Sequence, residues 1–384
     1  MASSQKETNV HFTNIGKSLA VAASVVAVAG LTACGSDNNS ATTTSVAGSA
    51  SGSSSASADC GGKNTLSGEG STAQQNAIGV FNQVWGQKCP GKNLAYNPTG
   101  SGAGVNQFIA GQVDFAGTDS ALSKDQPEQA AKRCGGNPAW NLPLVFGPVA
   151  MAYNLPGVDK LVLNADVLAK IFTGAVSTWD DPAIAALNSG AKLPATKIVP
   201  IYRSDSSGTT DNFQKYLGTA AKDAWTKGAG KEFQGGAGEG AQKSAGVVQA
   251  VQATPGAIGY VEKGFVTQAG LPMAQIDTGA GAVELTDASA GKAIEGAKVA
   301  GDGNDLVLDL NSIYGTTAPG AYPLVLATYE VVCSKGYPAD TAAAVKSFMT
   351  VAANDGQAGL SAAGYIPLPD AFKQRLLTAV TAIQ

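Results

Sequence analysis

The chain is poor in charge and almost empty of histidine. Only 14% of its 384 residues are Asp, Glu, Lys or Arg, and His11 is the single histidine. The formal net charge of −4 argues against a nucleic-acid partner, which selects a basic surface. The five cysteines form no C-x-x-C pair, so neither a zinc ribbon nor a dithiol redox motif is indicated. Beyond the N-terminal region no stretch is long and apolar enough for a bilayer span. Signatures of turnover are missing as well. There is no G-x-S-x-G elbow and no G-x-G-x-x-G opening a dinucleotide site. The nearest strings to a phosphate-gripping P-loop are "HFTNIGKS", which begins with His11 where glycine is needed, and "GAGKE" at 228–232, which lacks the hydroxyl after lysine.

What is present begins with a leader. Residues 18–33, "SLAVAASVVAVAGLTA", follow Lys6 and Lys17, and a basic start, an apolar run and small residues before a cut site make a secretory signal. The run closes on "LTAC", which resembles the bacterial lipoprotein signal. That implies removal of residues 1–33 and a lipid on Cys34; plain secretion with an incidental cysteine is the alternative. Cleavage there removes Lys6, Lys17, Glu7 and His11. Of 25 basic and 29 acidic side chains 23 and 28 remain, a net charge of −5, and no histidine is left. Ser-His-Asp and Cys-His catalysis and histidine-held metals are thereby excluded. Four cysteines remain after Cys34: Cys60, Cys89, Cys134 and Cys333. In an exported protein they point to two disulfides, and spacing leaves three connectivities open.

Residues 34–59 are polar and of low complexity, which predicts a disordered, lipid-anchored tether. From Cys60 onward strand-like and helix-like segments alternate. "NTLSGEG" leads into Ala77, Ile78, Phe81, Val84 and Trp85 at helical spacing, and "NLAYNPT" leads into "SGAGVNQFIAGQ". "WNLPLVFGPVAMAYNLPG" is rich in β-formers. "TKIVPIYR" precedes a helix with Phe213, Tyr216 and Leu217 on one face. Phe372, Leu376, Val380 and Ile383 mark a terminal amphipathic helix. Alternation of this kind predicts an α/β protein with mostly parallel sheets, and the length fits two domains.

Three segments share a strand, a Gly/Ser/Thr turn and a helix start: "SGEGSTA" at 67–73, "TGSGAG" at 99–104 and "SDSSGTT" at 204–210. Glycine lets the backbone approach a ligand. A helix start offers unpaired N–H groups and a positive dipole end, which together bind oxyanions. Ser71, Thr72, Ser101, Ser207 and Thr209 add hydroxyl donors, although the same residues also serve as ordinary helix caps. Arg203, at a strand end before the third turn, supplies a planar permanent charge suited to an oxyanion, and Asp205 is its natural partner.

Several long strings, among them "GSTA", "GSGAGVNQFIAGQVDFAGTDSALS", "STWDDPAIAALN", "RSDSSGTTDNF", "PGAIGYVE" and "YPLVLATYEVV", resemble the substrate-binding proteins of high-affinity phosphate ABC transporters, in their actinobacterial lipoprotein form. The resemblance runs from about residue 62 to the C-terminus. It implies the two-lobed periplasmic-binding-protein fold of type II. Each lobe would be a mixed, mostly parallel sheet flanked by helices, with two hinge strands near 152–157 and 322–330. Lobe I would comprise residues 60–153 plus 326–384 and lobe II residues 154–325. It further implies phosphate contacts at Thr72, the backbone of Ala73, Ser101, Asp119, Arg203, Ser207, Gly208 and Thr209, with Asp205 bracing the arginine. On that topology the disulfides would be Cys60–Cys89 and Cys134–Cys333. The expected protein is a monomeric, extracytoplasmic phosphate carrier, lipid-anchored to the outer face of the cell membrane. It would serve the permease and ATPase subunits of its transporter without enzymatic activity, metal or organic cofactor.

Asp119 sets this reading apart from carriers of sulfate or molybdate. An ionised carboxylate only accepts hydrogen bonds; phosphate at neutral pH still carries a proton to give, and sulfate carries none. A serine hydrolase built on Ser101 or Ser207 lacks a histidine base, and neither serine opens an S-x-x-K motif. A scaffolding lipoprotein with a vestigial site is the third alternative.

Overall fold

The computed structural model describes residues 59–384; the leader, Cys34 and all of the expected tether except its last residue lie outside the described residues. Eight strands form the main sheet: β1 (Thr65–Gly70), β2 (Asn93–Pro98), β3 (Phe115–Thr118), β4 (Ala139–Tyr153), β5 (Val199–Arg203), β6 (Glu239–Ala241), β7 (Ala257–Glu262) and β8 (Val325–Cys333). Their order is β2-β1-β3-β8-β4-β7-β5-β6. β1 runs parallel to β2 and β3, and β5 runs parallel to β6 and β7, whereas the central β8 and β4 are antiparallel to their neighbours. The mixed α/β class expected above is what forms.

β4 joins two half-sheets. Its residues 139–148 pair with β8, and its residues 149–153 pair with β7. Two prolines mark the irregularities. Pro143 precedes the skipped Leu144, where the register shifts opposite Thr328/Tyr329, and Pro148 is the last residue paired with β8 before pairing passes to β7. Proline cannot donate to a ladder and sits where the ladder is already interrupted.

The helices relevant to function are α1 (Gln75–Lys88), α2 (Ser101–Ile109), α3 (Gln126–Arg133), α4 (Gly208–Ala220), α5 (Lys243–Ala253), α6 (Lys263–Ala269), α7 (Ala339–Asn354) and α8 (Asp370–Ala382). The apolar spacing read from the sequence is mostly the buried face, although Val84 of α1 is only half-buried. Ala77, Ile78, Phe81 and Trp85 of α1 are buried, as are Phe213, Tyr216 and Leu217 of α4. Trp85 meets Phe348 of α7 edge-on at 5.4 Å, while Phe213 stacks on Tyr260 of β7 at 4.4 Å. Each half-sheet thus has its own aromatic anchor under the helix that carries the candidate turn. In α8 Leu376 and Val380 are buried; Phe372 lies only half-buried against Phe146, and Ile383 follows the helix end in extended conformation.

The disulfides are Cys60–Cys89 and Cys134–Cys333, each with Cα atoms 5.4 Å apart. Cys89 and Cys134 cap the C-termini of α1 and α3, and Cys333 ends β8, so both bridges lie at the ends of elements opposite the glycine turns.

Gly70 illustrates how tightly the first turn is built. It has φ 138°, and a Cβ there would lie 2.1 Å from the carbonyl oxygen of Gly117. Gly70→Ala should therefore cost roughly 2–5 kcal/mol, adding backbone strain to overpacking. Gly79, exposed in α1 with open space around it, is the contrasting case: Gly79→Ala should stabilise by about 0.5–1 kcal/mol. Denaturant melts of the two variants check both signs.

Candidate functional site

Parallel strands deliver their C-terminal ends to one edge of the sheet, and that edge is where α/β proteins bind ligands. Here β1 ends before Ser71 and Thr72, β2 before Ser101, β3 before Asp119, β5 on Arg203 and β7 on Glu262. All six side chains are buried. The sequence scatters them over 191 positions from Ser71 to Glu262, and the topology gathers them.

Asp119 lies at the centre. Ser71 Oγ donates to its Oδ1 at 2.6 Å, Thr328 Oγ1 to the same oxygen at 2.7 Å, and Ser101 Oγ to Oδ2 at 3.0 Å. Burial pushes the Asp119 carboxyl up to about 6, against the pull of Ser71 and Thr328. Across from it stands Gly208, the first residue of α4. A Cβ on Gly208 would sit 2.6 Å from Asp119 Cβ, 2.7 Å from Asp119 Oδ2 and 2.7 Å from Ser101 Oγ, so glycine is what allows the two half-sheets to approach here.

Arg203 is 3% exposed. Its Nε donates to Asp205 Oδ1 at 2.7 Å and its Nη2 pairs with Asp205 Oδ2, a two-pronged ion pair. Burial opposes the guanidinium charge, but Asp205 more than offsets it and holds the group above its ordinary range; Asp205 in turn is held below the usual carboxylate range despite its burial. The pairing occupies one edge of the guanidinium and turns Nη1 toward Ser244 Oγ at 3.5 Å. Arg203 N–H donates to Tyr260 Oη at 3.1 Å, and the same hydroxyl bonds Thr210 Oγ1 at 2.8 Å. Tyr260 therefore sets both the strand end and the first turn of α4.

The remaining sequence candidates fall at the same junction between the half-sheets. Thr72 Oγ1 meets Ser244 Oγ at 2.8 Å across the two halves. Ala73 N–H donates to Ser71 Oγ at 3.0 Å. Ser207 caps α4, its Oγ accepting from Thr210 N–H at 3.2 Å, which leaves its own proton to give. Gly208 and Thr209 follow it in the first turn, where N–H groups lack intrahelical partners. Thr209 Oγ1 donates to Glu262 Oε1 at 2.6 Å. The helix starts at 75 and 101 carry no side-chain cap, so the capping alternative holds for Ser207 alone. The halves are in contact throughout: Gly102 N–H donates to Ser206 O at 3.0 Å, Ser120 Oγ to Asp211 Oδ2 at 2.5 Å, and Asn212 Nδ2 to Asp119 O at 2.6 Å.

Sequence reasoning missed Ser244, Tyr260, Glu262, Thr328 and Glu330. An acid inside an otherwise apolar strand was a usable signal for Glu262 and Glu330. Ser244 left none, since a polar residue in the first turn of a helix such as α5 is commonplace. Glu330 lies behind Asp119, fully buried, and accepts from Gln74 Nε2 at 3.3 Å; burial pushes it up to about 8.

Glu330 and Asp119 give the protein a definite pH response. A carboxyl whose folded value lies above its unfolded one makes the folded state hold more protons between the two, so stability falls as pH rises through that window. The windows run from 3.8 to about 6 for Asp119 and from 4.5 to about 8 for Glu330. The ligand-free protein should thus melt at a lower temperature at about pH 8 than at about pH 5. Glu330→Gln should flatten the upper half of that decline; a parallel profile would refute the assignment.

Comparison with known proteins places this arrangement in context. Residues 39–355 match the PBP superfamily domain. The chain is 51% identical over 355 residues to phosphate-binding protein PstS 3 of Mycobacterium tuberculosis, covering 92% of this chain and 95% of that one. It is also 51% identical over 357 residues to PstS 2 of the same organism, with the same coverage. Among solved structures, a high-affinity periplasmic phosphate-binding protein (PfluDING) bound with phosphate superposes with TM-score 0.66 at 24% identity, over 82% of this chain and 93% of that one. A phosphate-binding protein from Stenotrophomonas maltophilia superposes with TM-score 0.63 at 19% identity, over 82% and 94%.

Proposed function

The chain belongs to the PBP superfamily, in the company of the mycobacterial phosphate-binding proteins, and from that premise we propose that it captures inorganic phosphate outside the cytoplasm and hands it to an ABC permease and its ATPase. The observation that carries the reading is a buried guanidinium and a buried carboxylate gathered at the strand ends where the start of α4 meets Asp119.

In this reading the Nη1 edge of Arg203 and the first-turn N–H groups of Gly208 and Thr209 attract the anion. Thr72, Ser101, Ser207 and the Ala73 backbone complete its shell. Asp119 accepts a hydrogen bond from a P–OH of the ligand. Three of its lone-pair positions are already filled by Ser71, Thr328 and Ser101, and the open one is on Oδ2, the oxygen that faces Gly208. Sulfate would set oxygen against oxygen there, and mismatches of that kind reach selectivities of about 10⁴–10⁵. Lobe I (60–153 plus 326–384) and lobe II (154–325) would part and close about β4 and β8. The net negative charge is no obstacle, because Arg203 and the helix starts set the local potential. The chemistry is binding without turnover, and the carrier acts as a monomer.

Titration calorimetry of the folded chain should give one tight phosphate site and no sulfate site. Tight sulfate binding, or silence with phosphate, overturns the reading. Asp119→Asn removes the acceptor-only group and should narrow the phosphate–sulfate gap by about 10–100-fold.

Cys34 is the proposed lipid attachment site, tethering the carrier through residues 35–59. Labelled palmitate should enter the native chain and not Cys34→Ala, and the variant should leave the membrane fraction.

A further inference from the structure

The first turn of α4 belongs to the candidate site; its far end borders a different concavity. A pocket of about 340 Å³ lies there, within the size range of small-molecule sites. Its walls come from four places: the last turn of α4, the start of the helix Ala165–Thr173, the turn after the strand Gln275–Asp277, and the segment after the short helix Asn311–Tyr314. None of the residues proposed to hold phosphate lines it.

Two hydroxyls in this wall have nothing to bond. Tyr216 is 1% exposed, and its ring lies edge-on to that of Tyr314 at 6.5 Å. Its Oη meets no donor or acceptor among the described residues and opens on the pocket. Burial raises the Tyr216 phenol above its ordinary range, so the proton stays on and the group both donates and accepts. Thr278 Oγ1 is sealed without a partner as well. Buried polar groups left in this state cost stability, and a ligand that bonds them recovers it.

The charge around these hydroxyls has one sign. Asp166 and Asp277 line the pocket, and no Lys, Arg or His does. Asp277 Oδ1 accepts Gly279 N–H at 2.8 Å, but neither carboxylate has an ion-pair partner among the described residues. Two lysines of neighbouring segments are already engaged, Lys215 with Asp211 at 2.6 Å and Lys292 with Pro319 O at 2.6 Å. The last turn of α4 carries no basic side chain, so the negative end of that helix adds to the two acids. The start of Ala165–Thr173 would favour an anion, but Asn164 already accepts Val167 N–H at 2.9 Å and Asp166 stands in the first turn.

A cation is therefore called for, and a bare metal ion fits poorly. Among the described residues no three or more His, Cys, Asp or Glu side chains gather to hold one. An ammonium asks for less, because its three donors can be shared between two carboxylates and a helix end. The orphan hydroxyls call for ligand groups that also give and accept, which is the property of hydroxyls.

We propose that this pocket is a second ligand site, for a small polyhydroxylated primary amine of the amino-sugar class. The ammonium sits between Asp166, Asp277 and the end of α4, and the ligand hydroxyls bond Tyr216 and Thr278. The site stands whatever the junction at Arg203 binds.

The probe is glucosamine, titrated calorimetrically into the folded chain at about pH 6, where a primary amine is protonated. One site of submillimolar affinity is expected. Glucose, with a hydroxyl in place of the ammonium, should bind at least about tenfold more weakly. Added salt should weaken glucosamine and leave glucose unchanged. Tyr216→Phe keeps the ring and removes the orphan hydroxyl, and should weaken both sugars by about 3–10-fold. Asp277→Asn keeps an acceptor for Gly279 N–H and removes one charge, so it should weaken glucosamine alone; it carries the test should Tyr216→Phe fail to fold. No glucosamine heat at millimolar concentration, glucose binding as tightly as glucosamine, or folded variants that bind glucosamine like the native chain each overturn the proposal.

Discussion

A guanidinium taken out of water must be matched by a fixed opposite charge, and the architecture of the cleft follows from how Arg203 meets that demand. Asp205, two residues on, grips it from one edge. Asp205 Oδ1 also accepts the backbone N–H of Lys243 at 2.8 Å, which fixes the start of α5. Ser244, the next residue, then meets both Arg203 and Thr72. One ion pair thus aligns a strand end, a helix start and a contact with the opposite half of the molecule. Tyr260 completes the frame from beneath, its hydroxyl shared by Arg203 N–H and Thr210.

Attraction and discrimination are divided between different groups. On the proposed reading the arginine and the helix starts would favour any oxyanion of suitable size. Asp119 lies on the other side of the cleft, and its hydroxyl donors come from three separate places: the turn after β1, the start of α2 and the middle of β8. The carboxylate cannot rotate without breaking several of these bonds at once. On the proposed reading, that rigidity would make its refusal to donate a criterion for the ligand. The shared origin of these bonds in both the N-terminal segments and β8 ties the site to the disulfide-closed ends of the same elements.

Local signals in the sequence carried much of this. Helical spacing identified the buried faces of α1 and α4, and the glycine turns at 70, 100 and 208 marked the places where backbone approaches backbone. Arg203 stood out because a charge at the end of an apolar strand is expensive. The groups that remained hidden are those whose meaning depends on contacts distant in sequence. Thr328 is 209 positions from the carboxylate it supports, and Ser244 is 172 from Thr72. Nothing near either residue announces its partner. The pairing of β4 with both half-sheets was equally illegible, because an apolar run reads the same whichever neighbour it bonds.

That shared strand has a mechanical meaning. β4 carries its ladder from one half-sheet to the other without leaving the sheet, so the halves are two ends of a single ribbon. Where pairing changes hands the residue is Pro148, which has no amide proton. A torsion applied about the strand at that point finds no ladder bond from the proline nitrogen to break. On the proposed two-lobe reading, relative displacement of the halves would be taken up as a twist along β4 where its two pairings abut, rather than as a separation across it.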